Sequence, residues 1–236
     1  MRRKIDIPRC EDCASRLCSI FNDLPEDELG KINHSKGGNL YKRGQNIFYE
    51  GTRPSGLYCI NFGKVKIYKI DQSGKEQIVR LAKAGDVLGY RSLISGELYS
   101  SFAAPLEDSL ICFIPRSVFF SLLQTNANLS MKIMKILSQD LKSAENRIAN
   151  MAQKPVRERL AEALLILREF YGLEDDEATL GVALTREDLA NVVGTATETV
   201  IRLLSEFRED KIIALKGRKI KILDHISLVK TANIFD

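Results

Sequence analysis

The sequence of 236 residues contains no apolar run long enough to cross a bilayer. Its basic start, Met1-Arg-Arg-Lys, is followed by no apolar stretch and does not read as a secretion signal. Both absences predict a cytoplasmic protein with no membrane partner. Histidine is scarce: His34 and His225 stand alone and read as structural or surface residues. No histidine–carboxylate metal motif, phosphate-binding loop or nucleophile–base–acid set is visible, which argues against an enzyme. A strong charge of one sign is also lacking. The net charge of +4 does not by itself point to nucleic acid, because distribution matters more than the sum. No internal repeat or low-complexity segment is present.

What is there falls into successive textures. Five cysteines, an odd number without an export signal, argue against a disulfide framework. They favour metal or redox chemistry, with buried thiols as the plain alternative. Three of them, Cys10, Cys13 and Cys18, lie in a short charged segment, residues 1–20. Residues 21–115 are punctuated by glycines from Gly44 to Gly96. Between these lie short β-type segments such as Leu57-Tyr-Cys-Ile-Asn and Val65-Lys-Ile-Tyr-Lys-Ile, the second only partly alternating. Turn signals such as Asp71-Gln-Ser-Gly74 separate them. Many short, evenly spaced strands predict an all-β barrel or roll.

From Pro115 the period becomes helical: a short helix over 116–125, then a long one over 126–152. In the long helix Met134, Leu137, Leu141, Ala144, Ile148 and Met151 recur at spacings of three and four, the seam of a two-stranded coiled coil. An ordinary amphipathic helix on its own domain is the alternative. Ile133 and Ile136 form a second apolar line, expected to pack on the barrel. Lys154-Pro155 breaks the helix and marks a domain boundary. The expected organisation is α+β: a cysteine-rich segment (1–20), a β-roll sensor (21–125), a dimerisation helix (126–153) and a C-terminal domain (154–236). In the last, residues 156–171 read as an amphipathic helix with Leu160, Leu164, Leu167 and Tyr171 on one side. Glu174-Asp-Asp-Glu177 reads as a solvated loop.

The most specific signal is Leu184 to Phe207, two short helices around Gly194. Both open on Thr-x-x-acid, Thr185…Asp188 and Thr195…Glu198, the pattern of a capping box. Ala190 is small where the helices must cross, Gly194 supplies the tight turn, and Leu189, Val193, Val200 and Leu203 face inward together. These spacings predict a helix-turn-helix. Lys211 to Leu223 then reads as a β-hairpin turning at Lys216-Gly-Arg-Lys219, a basic wing able to neutralise phosphates. Thr185, Arg186, Thr197, Glu198, Thr199, Ile201, Arg202, Lys216, Arg218 and Lys219 are the candidate DNA contacts. Arg202 can donate twice to a guanine edge, and Glu198 can accept from a cytosine amine or serve as a capping acid.

Glu198-Thr-Val-Ile-Arg202 resembles the operator-reading run of the CRP/FNR family. Gly85-Asp-Val-Leu-Gly89 and Leu106 to Pro115 resemble barrel motifs of its FNR branch. The resemblance covers nearly the whole chain. It implies a winged helix-turn-helix regulator that binds double-stranded DNA as a homodimer and recruits or blocks RNA polymerase. Family members that bind cyclic AMP carry a phosphate cassette whose glutamate and arginine hold the ribose and the phosphate. Here Tyr90 stands for the glutamate, Tyr99-Ser-Ser101 for the arginine, and Arg91 is out of place, so cyclic AMP is not expected as ligand. In the FNR branch an N-terminal cysteine triplet and one barrel cysteine hold an oxygen-labile 4Fe–4S cluster. The resemblance implies that role for Cys10, Cys13, Cys18 and Cys112. Four residues separate Cys13 from Cys18 where the familiar arrangement has five. A zinc site, a redox thiol pair or a remnant without cofactor are the alternatives, and Cys59 reads as a buried strand cysteine. A sensor module without operator control, or a cupin-like oxidase, are the rival functions. The second lacks the histidine ligands it would need.

Overall fold

The computed structural model describes residues 7–234, so the basic start at Met1–Lys4 lies outside them. The chain divides into two compact units, one ending at Lys142 and the other beginning at Ser143. Among the described residues no helix is long and apolar enough to cross a membrane.

The first unit opens on a 3₁₀ turn, Ala14–Cys18, and a helix, α1 (Glu26–Ser35). Five strands follow: β1 (Gly37–Tyr41), β2 (Gly56–Phe62), β3 (Lys64–Ile70), β4 (Glu76–Lys83) and β5 (Val87–Leu88). Then come α2 (Tyr90–Ser95), β6 (Phe102–Pro105), β7 (Ser109–Pro115), α3 (Arg116–Thr125) and α4 (Ala127–Gln153). The strands form two antiparallel sheets, ordered β1-β7-β2-β5 and β4-β3-β6. Val65, Ile67 and Ala103 of one sheet meet Ile60, Leu88 and Ile111 of the other in a buried core, giving the expected roll. The imperfect alternation of β3 has a local cause. A bulge between Ile67 and Tyr68 lets both side chains be buried in succession.

The outer face of the four-stranded sheet carries a second core. Leu57, Val87 and Ile114 pack there against Ile32 of α1, Phe119 of α3 and Ile133 of α4. Ile133 and Ile136 face the barrel as the sequence predicts. Leu137, read as a seam residue, is half-buried against the same core.

The second unit contains the last turns of α4, then α5 (Val156–Tyr171), α6 (Arg186–Val193), α7 (Thr197–Glu209), β8 (Ile213–Lys216), β9 (Lys219–Ile222) and α8 (His225–Ala232). Pro155 breaks the helical path and is the N-cap of α5. The two units nevertheless part inside α4, earlier than the boundary expected at residue 154. The final turns are tied to the second unit: Asn150 donates to Glu162 at 2.7 Å, and Arg147 to the Val192 carbonyl at 2.6 Å. Leu160, Leu164, Leu189, Val200, Phe207 and Leu228 form its buried centre. Helix α8, which the sequence reading missed, starts on Asp224, whose side chain accepts from the Ser227 amide.

Candidate nucleic-acid interface and cysteine pocket

Helix α6 begins as its sequence dictates. Thr185 is the N-cap: its hydroxyl accepts from the Asp188 amide at 2.9 Å and donates to the Asp188 carboxylate at 2.7 Å. It ends at Gly194 in the left-handed region, φ 75°, where a side chain would be strained. The second capping box does not form. Helix α7 starts a residue later than Thr195…Glu198 requires, with Ala196 as N-cap and no side-chain cap. Thr195 instead closes the turn, its amide donating to the Ala190 carbonyl at 3.2 Å. Glu198 then lies in the first turn of α7, where the helix dipole favours an anion.

Helix α7 is strongly two-sided. Val200, Leu203, Leu204 and Phe207 are buried. Glu198, Ile201 and Arg202 are exposed on the opposite face, with Thr197 and Thr199 half-exposed beside them. Arg202 is held by Glu206, one turn on, and Glu206 also accepts from Arg157 at 2.6 Å. The wing is the predicted hairpin, with Lys216 opposite Lys219 and a two-residue turn at Gly217-Arg218. Arg186 donates to the Gly217 carbonyl at 3.0 Å, tying the start of α6 to the wing tip. Thr185 stays half-buried in its cap, and Lys216 and Arg218 are exposed.

The acidic stretch is the exposed loop expected from its composition, and it is also paired with the wing. Lys219 pairs with Glu174 at 2.7 Å and Lys221 with Asp176 at 3.1 Å. The Leu180 amide donates to Ile220 and the Ile222 amide to Ala178, both at 2.9 Å, which adds this segment to the wing. The sequence concealed this because the partners lie some forty residues apart. Part of the wing's positive charge is therefore neutralised within the chain.

Along α4, Met134, Leu141, Ala144, Ile148 and Met151 are exposed. Leu141 and Ile148 are 61% and 71% exposed, unusual for large apolar side chains repeated every seven residues. Met131, exposed one turn earlier, adds to the stripe.

In the barrel interior Tyr99 stacks on Phe48, with ring centroids 4.1 Å apart. Around them a cavity of about 20 Å³ remains, lined also by Arg80, Arg91 and Ser101. Tyr90 is buried; its hydroxyl accepts from Arg80 at 3.1 Å and donates to Asp140 of α4. Neither Arg80 nor Asp140 stood out in the sequence. Arg91 is exposed.

The cysteines converge in part. Strand alternation puts Cys59 of β2 and Cys112 of β7 on the outer sheet face, the register sets Cys59 directly opposite Cys112, and Asn61, at a bulge in β2, lines the same cavity. The N-terminal segment lies over them. Ser15 donates to the Asn61 carbonyl at 2.7 Å, and Asn61 donates from its side chain to Cys13 Sγ at 3.1 Å. Lys36 donates to the Pro8 carbonyl at 2.6 Å and reaches Cys10 Sγ at 3.2 Å. Cys10, Cys13, Cys59 and Cys112 line one cavity of about 50 Å³. Cys18, at the end of the 3₁₀ turn, is exposed and does not line it. Burial pushes the Cys59 thiol well above its usual range and the Cys112 thiol up to about 11. Among the described residues no three His, Cys, Asp or Glu side chains are placed to hold a single metal ion. The donor set is nonetheless the all-sulfur kind that iron–sulfur groups take, and such a group spreads its thiolates wider than one ion does.

A helix-turn-helix with an exposed reading face and a basic wing, in one chain with a β-roll and a long helix, defines a DNA-binding transcription regulator. Residues 39–126 match the cyclic nucleotide-binding domain family, and residues 158–230 match the Crp-like helix-turn-helix domain family. The chain is 34% identical over 231 residues to the fumarate and nitrate reduction regulatory protein of Vibrio cholerae, covering 95% of this chain and 90% of that one. Its fold is similar to FixK2 from Bradyrhizobium japonicum, with a TM-score of 0.77 at 23% identity, over 85% of this chain and 99% of the other. It is likewise similar to a CRP/FNR family transcriptional regulator from Thermus thermophilus, with a TM-score of 0.70 at 28% identity, over 84% and 99% of the two chains. The chain belongs to the CRP/FNR family of transcription regulators.

Proposed function

We propose that the protein acts in the cytoplasm as a homodimer that binds a pseudo-palindromic operator and there recruits or blocks RNA polymerase. The observation that carries this reading is the α7 face: Glu198, Ile201 and Arg202 exposed together at the helix start, the end that enters the major groove in helix-turn-helix proteins. Lys216 and Arg218 are the foremost phosphate contacts of the wing. Lys219 contributes less, because Glu174 already pairs with it. The apolar stripe of α4 is the proposed dimer seam, with a second copy of the chain as its occupant.

The signal enters through the cysteine pocket rather than through a cyclic nucleotide. The Vibrio cholerae relative is named for fumarate and nitrate reduction, which suits a redox-linked signal. A 4Fe–4S cluster with Cys10, Cys13 and Cys112 among its ligands would supply oxygen sensitivity there. Lys36 and the Asn61 side chain would offset the thiolate charge at Cys10 and Cys13. Cyclic AMP should not tighten DNA binding, because the Tyr99–Phe48 stack occupies the space, Arg80 is engaged with Tyr90, and Tyr99-Ser-Ser101 stands where the cassette arginine would be. Calorimetric titration checks this: no heat is expected up to millimolar nucleotide, and a micromolar affinity would contradict it. Gel shifts against the protein's own upstream region, before and after exposure to air, test the reading as a whole. Binding that changes on air exposure supports it, and equal binding in both states contradicts a redox signal.

A further inference from the structure

Five thiols are present, and the family pattern picks its four by spacing alone. The structure sorts them differently. On β2 the side chains of Leu57 and Cys59 alternate onto the sheet face beneath the N-terminal segment, on β7 Cys112 and Ile114 do the same, and Asn61, at the bulge of β2, points to the same side. Cys59 and Cys112 are thus cross-strand neighbours on that face, a pair whose Cβ atoms stand about 4.5–5.5 Å apart in antiparallel sheets. Cys10 and Cys13 come down on the same spot from above, the first beside the Lys36 ammonium and the second beside the Asn61 amide. The 3₁₀ turn Ala14–Cys18 then packs on β2 and leaves Cys18 exposed beside Gly85, at the rim of the cavity and not among the residues that line it. The shortened spacing after Cys13 belongs with this. Ser15 anchors the turn to the Asn61 carbonyl at 2.7 Å, only three residues before Cys18, which fixes the turn with that side chain outward.

We infer that the thiolates able to hold an iron–sulfur cluster in this chain are Cys10, Cys13, Cys59 and Cys112, with Cys59 in the role the family pattern gives to Cys18. The inference rests on the cofactor reading above. In it two ligands come from rigid neighbouring strands and two from the overlying segment.

The test uses the full chain purified without oxygen, with iron and acid-labile sulfide counted per chain and the visible absorbance recorded. Cys18→Ser should retain wild-type iron and absorbance. Cys59→Ser and the smaller, apolar Cys59→Ala should lose most of both, while their far-ultraviolet circular dichroism matches wild type. A second measurement needs no variant: maleimide labelling of the iron-loaded wild type, read by mass spectrometry, should modify Cys18 and spare Cys59. Iron retained by both Cys59 variants, iron lost from Cys18→Ser, or Cys18 protected in the loaded protein would overturn the assignment. Wild type without iron would instead fail the cofactor reading itself, so the two failures are distinguishable.

Discussion

Replacing Leu141 with glutamate is expected to leave a monomer at micromolar concentration where the wild type is a dimer. Leu141 is 61% exposed in the single chain, at the middle of the stripe that runs from Met134 to Met151. In a two-fold seam the residue meets its own copy. Burying a leucine contributes about 1.5–3 kcal/mol and is lost twice, so the dimer should weaken by about 3–6 kcal/mol, or roughly 10²–10⁴-fold. Two glutamates facing each other add repulsion. DNA binding should fall with dimerisation, because two half-sites are no longer read together. No charge occupies the seam positions of the wild type, Ala144 included, so it should be dimeric with or without a cofactor. Sedimentation of wild type, Leu141→Glu and Cys10→Ser/Cys13→Ser checks both points. A monomeric double-cysteine variant beside a dimeric iron-loaded wild type would show that the cofactor drives assembly. A dimeric Leu141→Glu would remove the seam from α4.

Arg202→Ala is expected to weaken operator binding by about 1–3 kcal/mol and to relax preference at one guanine per half-site. The arginine is engaged with Glu206 in the free protein, but an exposed pair one helical turn apart is worth only about 0–1 kcal/mol. A bidentate guanine contact outweighs it, and Arg157 remains to hold Glu206 once Arg202 turns to the base. Fluorescence anisotropy on the operator and on single-base variants measures the effect. Wild-type affinity for the operator, with an unchanged preference at every half-site guanine, would contradict the role given to Arg202.

Where the sequence was legible, one physical rule dominated each segment. Pro155 and the spacing Leu160, Leu164, Leu167 mark α5, and Lys216-Gly-Arg-Lys219 marks the hairpin, because helix breaking, helical period and turn chemistry act within a few residues. The reading face of α7 was visible for the same reason. Where two local patterns competed, the reading slipped. Thr195 and Glu198 have capping spacing, yet Gly194 and the bond from Thr195 to Ala190 set the helix start a residue later. Long-range contacts left little trace. The acidic Glu174–Glu177 stretch is explained by Lys219 and Lys221, and Tyr90 by Asp140, fifty residues away. Cys59 illustrates the middle case. Its period-two relation to Leu57 was in the sequence, but only the pairing of β2 with β7 shows that it faces Cys112.

Selection of bound duplexes from a random-sequence pool by the wild-type protein tests most directly that this chain reads DNA as a symmetric dimer. The expected product is an inverted repeat whose half-site centres lie about one helical turn, roughly 10 base pairs, apart. Each half-site should contain one strongly selected guanine that the Arg202→Ala protein no longer selects. Recovery of no motif, or of a single half-site without symmetry, would contradict the account.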